Sequence, residues 1–204
     1  MSRTSETFGL QLDRIPILNL RLEFNDYQWL VATPEFAKRV EAPSEPIHTP
    51  LFLWNTMPEG LLTLILQRAI LGLEAYLPGT VYVQLGGKPG YEEHVMRYVA
   101  NPARLCRSIA DAYFNRLPTL INPAHALRAA NPELWLRTKR LYDEVRNPLF
   151  HGWQLAKTDV EGLRAVMAHI QQLYDWVDGW HDPEIWMPGA GRLVRRVAGE
   201  DRAS

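Results

Sequence analysis

A mainly helical bundle with a small N-terminal β element is the fold that this sequence of 204 residues predicts. Three features predict it: a long apolar run at 61–77, apolar residues at helical spacing over 160–177, and alternating apolar residues at 8–12 and 18–24. Apolar residues three and four positions apart line one face of a helix, whereas a period of two lines one face of a strand. We therefore expect a short β-containing start followed by a longer helical part.

The predicted β element lies within the first 50 residues. The apolar side of its two strands consists of Phe8, Leu10 and Leu12, then Leu18, Leu20, Leu22 and Phe24. Pro16 falls near the turn between these strands, and residues 41–50 carry three prolines without any periodicity, which predicts a connector. We expect residues 1–50 to form an extension and connector, and residues 51–181 to form the helical bundle.

The apolar run predicts the central helix of this bundle. Thr56 and Glu59 have capping-box spacing, so we expect the helix to begin there and to end at Pro78-Gly79. Its apolar side chains cover nearly all sides, which is typical of a helix surrounded by others. Residues 80–85 (TVYVQL) then predict a brief strand.

Three further helices are predicted along the rest of the chain. One begins at Asn101-Pro102 and buries Leu105, Ile109, Ala112 and Leu117. A second covers about 132–146, with Leu134, Leu141 and Val145 facing inward. The last follows a capping box of Thr158 and Glu161 and buries Val160, Leu163, Met167, Ile170, Tyr174 and Val177. Residues 182–204 are expected to form a flexible tail.

The composition restricts the class of protein. Hydrophobic residues make up 47% and charged residues 22%, as in soluble globular domains, and the net charge of −1 limits any nucleic-acid contact to a local patch. The single cysteine, Cys106, excludes an intrachain disulfide. The start, MSRTSETFG, lacks a signal-peptide core, and 61–77 is shorter than the about 20 apolar residues of a membrane span. We expect a cytoplasmic protein without a membrane segment.

No metal or cofactor is expected. Four histidines show no pairing at metal-ligand spacing: His48, His94, His125 and His181. The glycine-rich LGGKPG lacks the Lys-Ser/Thr ending of a phosphate-binding loop, and no Gly-x-Ser-x-Gly or Cys/His arrangement suggests acyl chemistry.

The stretch RNPLFH, residues 146–151, carries the chemistry that the sequence suggests. Pro148 disfavours helical geometry at Asn147, so we expect the preceding helix to end there and Asn147 to cap a new one. Arg146 before the cap and His151 in the next turn would then converge, and Gly152 would leave room for a ligand.

Arginine and histidine together suit the cleavage of RNA. A histidine can move protons near neutral pH, and a guanidinium offers a planar fork to phosphate oxygens. Cleavage requires a deprotonated 2′-hydroxyl, a protonated leaving 5′-oxygen and stabilised negative charge on phosphorus. These two side chains could supply all three without a metal, with Asn147 orienting the phosphate or the histidine.

Arg146-Asn147 and His151 resemble the Arg-x4-6-His motif of the HEPN superfamily, in which Asn, Asp or His often follows the arginine. The resemblance is strongest over about residues 130–180 and does not extend to the first 50. It implies a bundle of four or five helices and a homodimer in which two motifs form a metal-independent endoribonuclease site. Arg146 and His151 would be catalytic, and Asn147 would assist.

The resemblance also implies a biological setting. Many HEPN proteins are toxins with an antitoxin partner or effectors of phage defence, whereas others are catalytically silent and bind RNA, a nucleotide or a protein. Some HEPN toxins carry a tyrosine two positions after the histidine, which a nucleotidyltransferase partner modifies. This chain has Trp153 there, so silencing by that route is not expected.

Structural roles are the alternative for each of these residues. Arg146 could pair with Asp143 or cap its helix, and His151 could be a core histidine in a helical interaction protein. Arg164 and His169 have the same spacing inside the last helix, where we expect two surface residues. Three residues could contact RNA: the aromatic Trp153 and the basic Lys139 and Arg140. The alternative for the two basic residues is that they belong to a solvent-exposed helix face of mixed charge.

Overall fold

The computed structural model describes residues 3–5, 10–12, 17–41, 58–85, 108–151 and 159–180, and these are mainly helical. The α-helices are α1 (Ile17–Ala32), α2 (Pro34–Glu41), α3 (Pro58–Gln84), α4 (Ile109–Asp111), α5 (Leu127–Ala130), α6 (Pro132–Arg140), α7 (Asn147–Phe150) and α8 (Val160–Asp178). Two π-helical segments cover Ala112–Arg116 and Leu141–Arg146, and two 3-10 turns cover Pro118–Leu120 and Pro123–His125. Predictions for 42–50, Thr56, 101–105, Trp153, Thr158 and 182–204 lie outside the described residues.

At the N-terminus, β1 (Arg3–Ser5) pairs antiparallel with β2 (Leu10–Leu12), with Arg3 opposite Leu12. The second predicted strand, at 18–24, is wrong because these residues belong to α1. A pairing of three residues is therefore much smaller than the β element that the alternation predicts.

Helix α1 forms because its apolar residues fit a helical period as well as a period of two. Leu20, Phe24 and Val31 are buried at spacings of four and seven, and all three join the common core. The helix contains four leucines, which favour helices, and only two β-branched residues, Ile17 and Val31. Packing of α1 against α3 and α8 brings residues from the first 50 into the bundle.

Helix α3 continues past its predicted end. The predicted stop at Pro78-Gly79 and the predicted strand at 80–85 are both wrong, since the helix runs to Gln84 with Pro78 inside it. Pro78 cannot donate to the Glu74 carbonyl four residues earlier, at a cost of about 3 kcal/mol. Burial of Leu77, Thr80 and Val81, each 0% exposed, offsets that cost.

The predicted central place of α3 is confirmed by its contacts with α1, α7 and α8. Residues 61–84 are long and apolar enough to cross a membrane, but 67% of the 18-residue apolar window within them is buried inside the protein. Leu64 and Leu71 remain exposed on the outer side of α3. Its burial is that of a core helix.

Both π-helical segments of the described chain come directly before a proline. The amide of Leu117 donates to the carbonyl of Ala112 before Pro118, and the amide of Asn147 donates to that of Tyr142 before Pro148. In a regular α-helix the proline ring would collide with the carbonyl four residues earlier. The wide turn moves that carbonyl away, so the helix can pass through the proline.

The last helix, α8, confirms the most periodic part of the sequence. Its predicted buried residues are all buried, and they face the common core: Val160, Leu163, Met167, Ile170, Tyr174 and Val177. Its N-cap is Asp159, whose carboxylate accepts the amide of Gly162 at 2.7 Å, so the capping residue is one position later than predicted.

Candidate functional site

The RNPLFH stretch lies on a helix that does not break. Helix α6, the π-helical segment 141–146 and helix α7 follow one another, and Asn147 has helical φ and ψ of −62° and −48°. The predicted helix end and N-cap at Asn147 are therefore wrong. The helix continues because the wide turn before Pro148 keeps the proline ring clear of the carbonyl four residues earlier, although helical geometry is disfavoured at Asn147.

Arg146 points toward α3 and forms an ion pair with Glu74. Its Nε donates to Oε1 of Glu74 at 2.9 Å, and its Nη2 donates to Oε2 at 3.2 Å. The side chains are 16% and 7% exposed, respectively. Arg146 therefore pairs in a bidentate manner with Glu74 and not with Asp143, which was the alternative expected from the sequence. The carboxylate of Asp143 accepts a hydrogen bond from Lys139.

A second contact holds the same stretch against α3. The side-chain amide of Gln67 donates to the carbonyl oxygen of Leu149 at 2.8 Å. The guanidinium carbon of Arg146 lies 4.5 Å from the ring centre of Phe150, so the ring supports one face of the guanidinium. Glu74 and Phe150 together fix both the direction and the plane of Arg146.

The buried carboxylate of Glu74 influences the tyrosines around it. Burial raises the pKa of Tyr113 to about 12, with a further contribution from the negative charge of Glu74. Burial, then Glu74, also raises the pKa of Tyr142 well above its ordinary value. Burial alone would lower the pKa of Arg146, but the hydrogen bonds and charge of Glu74 raise it. Both tyrosines thus stay neutral beside a charged pair.

His151 and Asn147 lie nearer the solvent than Arg146 does. His151 is exposed just after α7, where its amide donates to the carbonyl of Asn147 at 3.2 Å. Asn147 is half-buried, and its side chain caps no helix. Five positions along a helix turn a side chain by about 140° from its starting direction. A single chain therefore brings Arg146 to Glu74 rather than to His151.

The residues predicted to contact RNA lie on the exposed side of α6. Lys139 and Arg140 are both exposed, and Lys139 is 2.6 Å from the carboxylate of Asp143. Exposed Glu144 adds a further negative charge to this surface. The surface is therefore of mixed charge. Trp153 lies outside the described residues.

The second Arg-x4-His pair has structural roles. Arg164 is exposed, as predicted, and its guanidinium donates to the carbonyl of Val31 at 3.0 and 3.1 Å, which caps the end of α1. The predicted surface position of His169 is wrong, since it is 6% exposed. Its Nε2 lies 3.2 Å from the hydroxyl of Thr138, and burial, then the charge of Arg137, lowers its pKa to about 4.

Gln67 and Glu74 carry no local signal in the sequence that marks them as partners of the motif. Both stood out only as polar residues within an apolar run. Their spacing of seven places them on the same side of α3, two turns apart. A charged residue on a buried helix requires a partner, so Glu74 could have been matched with an arginine, although not with a particular one.

Nothing in the described part of the chain groups three His, Cys, Asp or Glu side chains as metal ligands. Comparisons with models of protein families, with curated proteins and with solved structures find no match to this chain.

Proposed function

We propose that this protein is a metal-independent endoribonuclease of the HEPN type. The observation that carries the proposal is that Arg146 of the RNPLFH stretch is held by Glu74 and partly exposed, directly before the short helix α7 that exposed His151 follows. His151 would be the general acid or base, and Arg146 would stabilise negative charge on phosphorus. Half-buried Asn147 lies between them in the chain and would orient the phosphate.

The proposed active site is composite and requires a homodimer. Because Arg146 and His151 diverge by about 140° around one helix axis, one chain offers a phosphodiester only one of them. Two copies related by a twofold axis would set His151 of one copy beside Arg146 of the other. The substrate would be single-stranded RNA, whose backbone can bend into such a cleft.

The biological role that we propose follows from the family resemblance. The protein would be a cytoplasmic toxin or an effector of phage defence, with an antitoxin as its regulatory partner. Lys139 and Arg140 would guide the RNA backbone from the exposed side of α6, and Trp153 would stack on a base.

Incubation of the purified full chain with single-stranded RNA in EDTA tests this function. Cleavage should be lost in His151→Ala, an exposed position whose change leaves the core intact. Arg146→Lys should also lose cleavage, because lysine keeps the charge but not the planar fork. Exposed Arg140→Ala is the control and should weaken cleavage only slightly. Cleavage that needs a divalent metal, or that survives both motif changes, would exclude the mechanism.

A second candidate function is favoured by the Glu74 pair itself. The carboxylate neutralises Arg146, which weakens its attraction for phosphate. A catalytically silent HEPN module that binds RNA, a nucleotide or a protein partner would fit such a site. Saturable binding of RNA without any product over hours would favour this candidate over the nuclease.

A further inference from the structure

Helix α3 holds the RNPLFH stretch at two points. Gln67 donates to the carbonyl of Leu149, and Glu74 accepts two hydrogen bonds from Arg146. The two α3 residues are two helical turns apart, whereas Arg146, just before α7, and Leu149 on α7 are about one turn apart. The motif helix is thereby fixed along its length and around its axis.

The pairing leaves one defined edge of the guanidinium available. Glu74 uses Nε and Nη2, and the ring of Phe150 supports one face at 4.5 Å. Among the described residues, none accepts a hydrogen bond from Nη1. An arginine has five N–H donors, so those on Nη1 remain for an oxygen outside the described contacts.

Stability alone does not account for this arrangement. Replacing a buried ion pair by apolar residues of similar volume is often neutral or stabilising, since both charges lose their hydration. Leu73, Leu77 and Val81 on the same helix show that the core around Glu74 accepts apolar side chains. A carboxylate here instead determines the direction in which the arginine points.

We propose that Glu74 is a positioning residue, which orients Arg146 so that its Nη1 edge meets a phosphate oxygen of the RNA backbone. This inference rests on the proposed function for the choice of ligand. Glu74 itself would touch neither substrate nor reacting atoms; it would act through Arg146.

The first test separates positioning from stability by steady-state kinetics of RNA cleavage in EDTA. Glu74→Gln keeps the shape but not the charge, and Glu74→Asp keeps the charge but shortens the reach. Both should lower kcat by about 10- to 100-fold with little change in KM, as expected for a misplaced group. Exposed Glu161→Gln, at the start of α8, is the matched control and should keep both constants. Unchanged kcat in folded Gln and Asp variants would overturn the inference.

The second test does not depend on cleavage. A single-stranded oligodeoxynucleotide lacks the 2′-hydroxyl and cannot be cut, and it should shift the side-chain NMR resonances of Arg146 in the wild-type protein. The shift should disappear in Glu74→Gln and persist in Glu161→Gln. An equal shift in wild-type and Glu74→Gln protein, or none in the wild type, would overturn the positioning role. If the protein cleaves no RNA but the NMR shifts follow the expected pattern, the nuclease proposal is overturned and the positioning role of Glu74 is supported.

Discussion

Glu74 and Arg146 lie 72 positions apart in the chain, yet two hydrogen bonds of 2.9 and 3.2 Å join their side chains. The pair connects the central helix α3 with the RNPLFH stretch, which carries the proposed catalytic residues. Any change to the motif arginine therefore also changes the packing of the bundle, and stability and activity need separate measurements.

Removal of one partner of this pair should destabilise the fold strongly. Glu74→Ala leaves a largely buried guanidinium without its counter-ion, and we expect a loss of about 3 kcal/mol in the free energy of unfolding. The double variant Glu74→Leu/Arg146→Met removes both charges and should lie within about 1 kcal/mol of the wild type. Urea denaturation measures both. Equal destabilisation of the single and double variants would contradict the ion-pair interpretation.

Complementation between two inactive variants tests the composite site. His151→Ala retains Arg146, and Arg146→Lys retains His151, so a mixed dimer has one intact site. Re-pairing the two variants at random should restore about a quarter of wild-type RNA cleavage, since half of the dimers are mixed. If each chain carried a complete site of its own, the mixture would stay inactive.

The buried His169 should make the stability of the fold depend on pH. Its pKa is about 4 in the folded protein and 6.5 ordinarily, so the unfolded chain binds more protons between these values and stability falls with falling pH. Between pH 7.5 and pH 5 the loss should be about 2 kcal/mol. His169→Gln keeps a donor toward Thr138 and should remove this part of the dependence. An unchanged pH profile in that variant would exclude His169 as its source.

The cap that Arg164 places on α1 should contribute measurably to stability. Arg164→Met removes the hydrogen bonds to the carbonyl of Val31 and should cost about 1 kcal/mol, because the side chain is exposed. Arg140→Met, also exposed, is the control and should change stability by less than about 0.5 kcal/mol. Thermal unfolding of both variants is the measurement, and equal melting temperatures would show that the cap is unimportant.

The sequence was informative where one local pattern dominated. Helix α8 could be predicted because its apolar residues fit only the helical period. At 18–24 the same leucines fit both periods, and packing against α3 selected the helix. The local preference of 80–85 for a strand was likewise overruled by burial of Thr80 and Val81.

The candidate site was only partly predictable for a different reason. The sequence identified the RNPLFH stretch, but it could not supply the partner of Arg146, because Glu74 is remote in the chain. It also predicted a helix break at Asn147, since the rule for residues before proline holds for regular α-helices. The wide turn that lets the helix continue depends on the packing of the whole helix. Apart from the proline itself, no local sequence pattern indicates this turn.

The wide turn at 141–146 also separates two surfaces. It holds one residue more than an α-helical turn would, so deleting one residue there would leave a regular α-helical turn, in which a carbonyl collides with the ring of Pro148. Gln67 and Glu74 anchor α7 from outside that turn and would keep Arg146 in place. We therefore expect a one-residue deletion in this turn to break the helix at Pro148, while the motif stays attached to α3.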